Sequence, residues 1–229
     1  MQWKEAKDGN FSVKSFYRAL EGSSTVPFPK SIIWSTCVPT KVVFFAWEAT
    51  WGKALTLDQL KKRGWSLPNG CYLCGVAEET IDHLQIHCTK AMVLWELLFN
   101  LFGVMWVLPS SGKEILLGWY GAFVGKKRVK VWRAAPLCLF WTVWKERNRV
   151  VFENDDFSIQ RLKFSFVCNL WSWFKLYIAE IPNSLINFFE WLGYRWGCVS
   201  FLYPSFFCFT CLLYTSCMLW VSRWVPCFY

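Results

Sequence analysis

The sequence predicts a mainly α-helical protein, and three observations lead to that prediction. Apolar residues recur at helical spacing, strand-like alternation is scarce, and typical helix-capping and helix-ending residues flank the periodic segments. With 229 residues, 55% of them hydrophobic, the chain has ample apolar surface for a buried core. Composition and motifs divide it into a small domain at residues 9–100, a helical extension at 101–182 and an aromatic, hydrophobic tail at 183–229.

Three helices are predicted before residue 70. Ser12 can cap the first of them. The second begins near residue 40 and carries apolar residues at helical spacing, which are Val42, Phe45, Ala46 and Ala49. Thr56 and Gln59 match a capping box for the third, which is expected over residues 57–63 until Gly64 ends it.

Three further helices are predicted in the middle of the chain. An apolar segment at residues 91–102 predicts a helix that faces the core with Leu94, Trp95, Leu98 and Leu101. Helices are also expected at residues 126–149 and 158–178. Pro136 is expected to kink the first of these two or to restart it, because proline cannot donate the helical hydrogen bond.

The tail contains an uncharged run at residues 196–222 that is long enough to cross a bilayer as a helix. Trp196 and Trp224 fit an interfacial aromatic belt, whereas Pro204 argues against a regular spanning helix. The run predicts either a membrane-spanning segment or a non-native extension. The first possibility gives an alternative function, a membrane-anchored interaction protein.

Cysteine and histidine residues concentrate at residues 71–88. A C-x2-C turn opens this segment, and both histidines of the chain follow it. Three thiolates and one imidazole in a closed tetrahedron are typical of structural Zn²⁺. The spacing favours Cys71, Cys74, His83 and Cys88 as ligands. His87 is the alternative to Cys88 as the fourth ligand.

Residues beside the cluster suit this assignment. Gly75 lets the backbone fold so that its amides face the sulfurs, and Thr80 can cap a short helix over residues 81–86. Structural zinc contributes on the order of 10 kcal/mol or more, which exceeds the usual net stability of a domain. This part of the chain is therefore expected to unfold without metal.

The charge balance favours an anionic partner. The chain has 25 Lys and Arg against 16 Asp and Glu, a formal charge of +9, which suits RNA, DNA or an acidic membrane surface. The candidate phosphate-binding residues are Lys61, Lys62, Arg63, Lys126, Lys127, Arg128 and Lys130, with Lys145, Arg147 and Arg149 as further basic residues. Solvated helix faces are the competing interpretation of these clusters.

No catalytic machinery is expected. The adjacent carboxylates Glu78 and Glu79 point apart on a helix or strand, as do Asp155 and Asp156. Four protein ligands leave a zinc ion no open position for substrate, and no small-molecule substrate is expected. Because no signal peptide opens the chain and its eleven cysteines suit a reducing compartment, the nucleus or cytoplasm is the expected location.

The motif order over residues 9–100 resembles the zinc-binding domain found downstream of reverse transcriptase in plant LINE-type, non-LTR retrotransposons. The resemblance rests on the segment 9–15, on Pro39–Thr40–Lys41–Val42 with Phe45 and Trp47, on Thr56, Leu60 and Arg63–Gly64, on Cys71, Cys74, Glu79–Thr80, His83–Leu84 and Cys88, and on Trp95. It implies the same four zinc ligands as the spacing does. It also implies a non-catalytic module that assists nucleic-acid binding.

A second stretch is similar to the region that follows the zinc domain in these elements and leads toward a ribonuclease H domain. Its residues are Trp141, Trp144, Glu146–Arg147–Asn148 and Phe152. Neither a paired-aspartate polymerase motif nor an acidic cluster suited to two-metal chemistry is visible. The sequence is therefore expected to be a fragment of such an element, or a gene model derived from one.

Overall fold

Helices dominate the computed structural model, which describes residues 12–15, 27–119, 124–153, 155–175 and 181–193. The elements in chain order are α1 (Lys30–Ile33), α2 (Thr40–Thr50), α3 (Leu57–Lys62), a π-helical turn (His83–His87), α4 (Thr89–Phe102), α5 (Gly112–Gly118), α6 (Val129–Phe152), α7 (Ile159–Lys175) and α8 (Leu185–Trp191). Within these described ranges there is no strand, only an isolated β-bridge between Gly70 and Glu78. The prediction of a mainly α fold is confirmed.

Two predicted helices form as their apolar spacing requires. In α2 the buried residues include all four that the periodicity selects, and α4 buries Leu94, Trp95, Leu98 and Leu101 together. Helix α4 ends at Gly103, whose φ of 65° lies in the left-handed region that favours glycine. Ser12 accepts a hydrogen bond from the Ser15 amide, as a helix cap does; residues 16–26 lie outside the described residues.

Helix α3 forms where it is predicted, but the predicted capping box is wrong. The Thr56 hydroxyl donates to the Ala54 carbonyl and contacts the Asp58 carboxylate instead of accepting from the first turn of the helix. The Glu79 carboxylate accepts a hydrogen bond from the first turn instead, from the Leu57 amide at 3.1 Å. A residue distant in sequence therefore satisfies a helix end that local spacing assigns to Thr56 and Gln59.

Pro136 does not restart helix α6, which continues from Val129 to Phe152. Proline has no backbone N–H, so the carbonyl of Trp132, four residues earlier, loses its helical partner. The Trp119 indole N–H donates to that carbonyl at 2.8 Å, and the two indole rings stack 4.2 Å apart. A tryptophan from outside the helix thus replaces the missing hydrogen bond.

Helix α6 lies at the centre of the fold, where it packs against α2, α4 and α7. Phe45 of α2 stacks on Trp144 of α6 with 5.2 Å between ring centroids. Buried side chains from Ile32 to Leu192 form one cluster that spans two of the predicted regions, residues 9–100 and 101–182, and reaches into the third. The predicted regional boundaries stay predictions, but the metal-binding segment shares its core with the residues that follow it.

The hydrophobic run at residues 196–222 lies outside the described residues, so the prediction of a membrane-spanning segment stays a prediction. Among the residues that the structure describes, no helix is both long and apolar enough to cross a membrane.

Candidate metal centre

The C-x2-C turn is shaped by local hydrogen bonds and by one glycine. The Gly75 amide donates to the Cys71 carbonyl at 2.7 Å, and the Cys71 amide donates to Ala77 at 2.8 Å. Gly75 has a φ of 72°, a conformation that residues with a Cβ adopt at a cost. The tight turn directs the thiols of Cys71 and Cys74 to the same side.

The π-helical turn positions the other two candidate ligands. The Thr80 hydroxyl accepts from the His83 amide at 3.0 Å, as the predicted cap requires. The Cys88 amide then donates to the His83 carbonyl at 2.7 Å, five residues back. This wide turn joins His83 to Cys88 directly through the backbone.

The structure brings Cys71, Cys74, His83 and Cys88 together. Their four ligand atoms all lie within 4.8 Å of one another, with 4.0 Å between the sulfurs of Cys71 and Cys88 and 3.3 Å between Cys74 Sγ and His83 Nε2. Zinc–sulfur bonds of about 2.3 Å in a tetrahedron place two sulfurs about 3.8 Å apart. The spacing and the donor set therefore fit one tetrahedral zinc ion.

The electrostatics of the cluster suit a cation that displaces protons. A hydrogen bond with Cys88, together with burial, raises the pKa of the Cys71 thiol. The same hydrogen bond lowers the pKa of Cys88, and the amides of Lys90 and Ala91 at the start of α4 act in the same direction. A divalent ion binds deprotonated ligands and would take the place of the contact between the Cys71 and Cys88 thiols.

Burial favours the neutral imidazole of His83. Burial, followed by the nearby His87, lowers the pKa of His83. The neutral ring can offer Nε2 to a metal, and Nε2 is the atom that faces Cys74.

His87 lies apart from the cluster. It is exposed, and its Nε2 lies 2.9 Å from the Ser110 carbonyl, which it can reach as a donor. The cluster of four contains Cys88 and not His87. In this geometry His87 attaches the loop before α5 to the metal-binding segment.

A buried ion pair that was not predicted from the sequence lies next to the C-x2-C turn. Glu79, which has no exposed surface, accepts from Arg147 of α6 with both carboxylate oxygens at 2.6 to 3.2 Å. One of these oxygens also accepts from the Tyr72 amide, inside the C-x2-C turn, at 3.4 Å. The Arg147 guanidinium lies 5.2 Å from the Tyr72 ring and 5.3 Å from the Trp144 ring.

Two further contacts tie the π-helical turn to its neighbours. The Trp95 indole of α4 donates to the Gln85 carbonyl at 2.8 Å, and Asp82 accepts from the Gly112 amide at 2.9 Å. A Cβ at Gly112 would lie 2.2 Å from the Gln85 amide oxygen, so only glycine fits this approach without a shift. Helices α4 and α5 thereby fix the turn that carries His83.

The predicted basic residues fall into two groups. Lys61, Lys62 and Arg63 are exposed at the end of α3, where the negative end of the helix dipole favours cations, and Lys62 pairs with Asp58 at 2.9 Å. Lys126, Lys127 and Lys130 are exposed at the start of α6.

Three arginines among the basic residues have structural partners. Arg128 donates to the carbonyls of Val124 and Leu192 at 3.1 and 2.5 Å. Arg147 is buried against Glu79, and Arg149 pairs with Glu146 and Asp155. Their guanidinium groups are engaged within the fold, so the phosphate-binding prediction is weaker for them than for the exposed lysines.

Residues 11–95 match a family described as zinc-binding in reverse transcriptase. This segment is a reverse-transcriptase zinc-binding domain. The resemblance to a zinc-binding domain of reverse transcriptase is confirmed, and the matched segment contains all four residues of the cluster. The matched family binds zinc, and the cluster of three cysteines and one histidine can hold that ion.

The chain that carries this zinc-binding domain is also similar to a longer protein. It is 25% identical over 192 residues to an Arabidopsis thaliana protein named "Putative ribonuclease H protein At1g65750". The match covers 82% of the chain, which spans 30% of the relative's length. No solved structure matches the chain.

Proposed function

We propose that the chain is a non-catalytic module of a retrotransposon-derived protein, held together by one structural zinc ion, and that it assists the binding of nucleic acid. The zinc is held by Cys71, Cys74, His83 and Cys88. The observation that carries this proposal is the closed set of three sulfurs and one imidazole within 4.8 Å. A plant LINE-type element is the source that the motif order favours.

The ligand set argues for a structural role of the metal. Catalytic zinc keeps a position open for water or substrate, and its usual ligands are histidines and carboxylates with at most two cysteines. Here four protein atoms fill the tetrahedron, and the buried Glu79 is engaged by Arg147 and two backbone amides. A bound zinc ion would cross-link the C-x2-C turn to the start of α4. The chain's own residues orient the ligands and bury the side chains of Cys71 and Cys88.

The exposed lysines at the start of α6 supply the affinity for phosphate in this proposal. Lys126, Lys127 and Lys130 lie at the positive end of the helix dipole, where cations destabilise a helix and anions stabilise it. Their presence there does not serve the stability of the helix. A bound phosphate would be attracted both by the lysines and by the helix end.

Salt-dependent binding tests this part of the proposal. We expect the zinc-loaded full chain to bind single-stranded RNA, with an affinity that falls as salt rises from about 50 to 200 mM. Replacing Lys126 and Lys127 by alanine removes two phosphate contacts and should reduce the slope of log K against log salt by about 1.5. Fluorescence anisotropy with a labelled oligonucleotide measures both quantities.

The matched control removes the same charge elsewhere. Replacing Lys163 and Lys175 of α7 by alanine should leave the slope within error of the unmodified chain. Equal slopes for both double variants would show that the start of α6 is not the binding surface. Negligible binding of the unmodified chain to RNA and to DNA at low salt would remove nucleic acid from the proposed function and leave the structural zinc alone.

A further inference from the structure

Helix α2 presents aromatic side chains to solvent on the face opposite the core. Phe44 and Trp47 lie on this helix and Trp51 caps its C-terminal end; their spacing of i, i+3 and i+7 places all three on one side. They are 53%, 42% and 47% exposed. The opposite side of α2 buries Val42, Phe45, Ala46 and Ala49. A helix that needs only one apolar face therefore carries a second.

Ring contacts extend this exposed face beyond α2. Trp34, which is 52% exposed, meets Phe44 edge to face with 6.0 Å between centroids. Phe28 stacks on Trp51 at 5.6 Å with the ring planes 11° apart. We call Trp34, Phe44, Trp47 and Trp51 the aromatic face. The other strongly exposed apolar side chains include Val76, Met105, Val107 and Phe152, which lie on other segments.

Cations flank the aromatic face at both ends. The Lys113 ammonium lies 5.4 Å from the centre of the Trp51 ring, and Lys41 lies near the start of α2, 6.0 Å from the Trp141 ring. The distance along the helix from Lys41 to Trp51 is about 15 Å, given a rise of about 1.5 Å per residue. Glu48 is the carboxylate that α2 carries on this side. Rings between cations are suited to a partner that has both flat apolar groups and negative charge.

We propose that the aromatic face binds single-stranded nucleic acid by stacking one base on Trp47 and packing a second base against the exposed part of Trp51, with Lys41 and Lys113 close to the phosphates. Single strands expose the flat faces of their bases, whereas a duplex stacks them internally, so the partner is a single strand. This inference rests on the nucleic-acid binding proposed above. It assigns a surface and a strand preference that the zinc site and the lysines of α6 do not require.

Substitution of the two tryptophans tests the stacking. In the zinc-loaded full chain, Trp47→Ala and Trp51→Ala are each expected to raise the Kd for a single-stranded oligonucleotide of about 16 nucleotides about tenfold. Both side chains are about half exposed, so the fold should be kept, and circular dichroism and zinc content verify this. Because stacking releases no counterions, the salt dependence should stay unchanged while the affinity falls.

Four further variants identify the physical cause. Trp47→Phe keeps a ring and should retain most of the affinity, whereas Trp47→Leu keeps apolar area without a ring and should behave like Trp47→Ala. Phe152→Ala removes an exposed aromatic side chain outside the aromatic face and should have no effect. Glu48→Gln removes the carboxylate from this face and should tighten binding.

The outcomes separate this inference from the proposed function. If the unmodified chain binds single strands and the Trp47 and Trp51 variants bind as tightly as Phe152→Ala, the aromatic face is excluded while nucleic-acid binding stands. Tighter binding to duplex than to single strands would also overturn the inference. The inference would also fail if the unmodified chain were a dimer and Trp47→Ala a monomer with unchanged affinity for the oligonucleotide. In that case the aromatic face would bind a second copy of the chain.

Discussion

Loss of a single zinc ligand is expected to unfold the metal-binding segment and to lower the helical content of the full chain. In Cys74→Ser, one thiolate is missing from the tetrahedron, and the chain should hold much less than one zinc per molecule after dialysis. Structural zinc contributes about 10–16 kcal/mol, which is comparable to or above a net stability of about 5–15 kcal/mol. Chelation of the unmodified chain should reproduce the same loss of circular dichroism.

Cys37→Ser is the matched control for this variant. Cys37 is a half-buried free thiol outside the metal cluster, and its substitution should leave zinc content and thermal unfolding close to those of the unmodified chain. Metal content is measured by elemental analysis, and unfolding by circular dichroism. Equal zinc content in Cys74→Ser and Cys37→Ser would show that Cys74 is not a ligand.

Breaking the Glu79–Arg147 ion pair is expected to cost about 3–5 kcal/mol in the free energy of unfolding, because Arg147→Met leaves a buried carboxylate without its counter-charge. Urea denaturation of the zinc-saturated chain measures this cost. The variant should also bind zinc about 10–100 times more weakly, since Glu79 accepts from the Tyr72 amide within the C-x2-C turn. Competition with a colorimetric chelator measures the zinc affinity.

Two further variants separate charge from packing. Arg161→Met removes an arginine whose ion pairs with Glu146 and Asp155 lie nearer the surface, and it should cost less than about 1 kcal/mol. The double variant Glu79→Leu, Arg147→Met leaves no uncompensated charge and should recover part of the lost stability. A cost for Arg147→Met no larger than that for Arg161→Met would contradict the role assigned to the buried pair.

Local features of the fold could be predicted from the sequence because their determinants are local. The spacing of Val42, Phe45, Ala46 and Ala49 selects the buried face of α2, and the Cys and His spacing selects the four residues that the structure brings together. Thr80 caps the segment that carries His83 as predicted. In each case the interacting residues lie within about twenty positions of one another.

Long-range contacts explain what the sequence could not predict. Glu79 and Arg147 are 68 residues apart, and nothing in the sequence around either residue indicates that the two charges pair in the core. The same carboxylate, and not the Thr56 hydroxyl, accepts a hydrogen bond from the first turn of α3. The Trp119 indole N–H donates to the carbonyl freed by Pro136, and the helix does not restart there. These partners become neighbours only after the chain folds.

Cobalt substitution tests the central claim of a closed Cys3His metal centre most directly. The cobalt-loaded full chain should show thiolate-to-metal charge transfer together with the visible bands of tetrahedral coordination. Cys88→Ala should lose about a third of the charge-transfer intensity, whereas His87→Ala should leave the spectrum unchanged because His87 contacts Ser110 instead. A spectrum without thiolate bands, or one that changes with His87 and not with Cys88, would contradict the account.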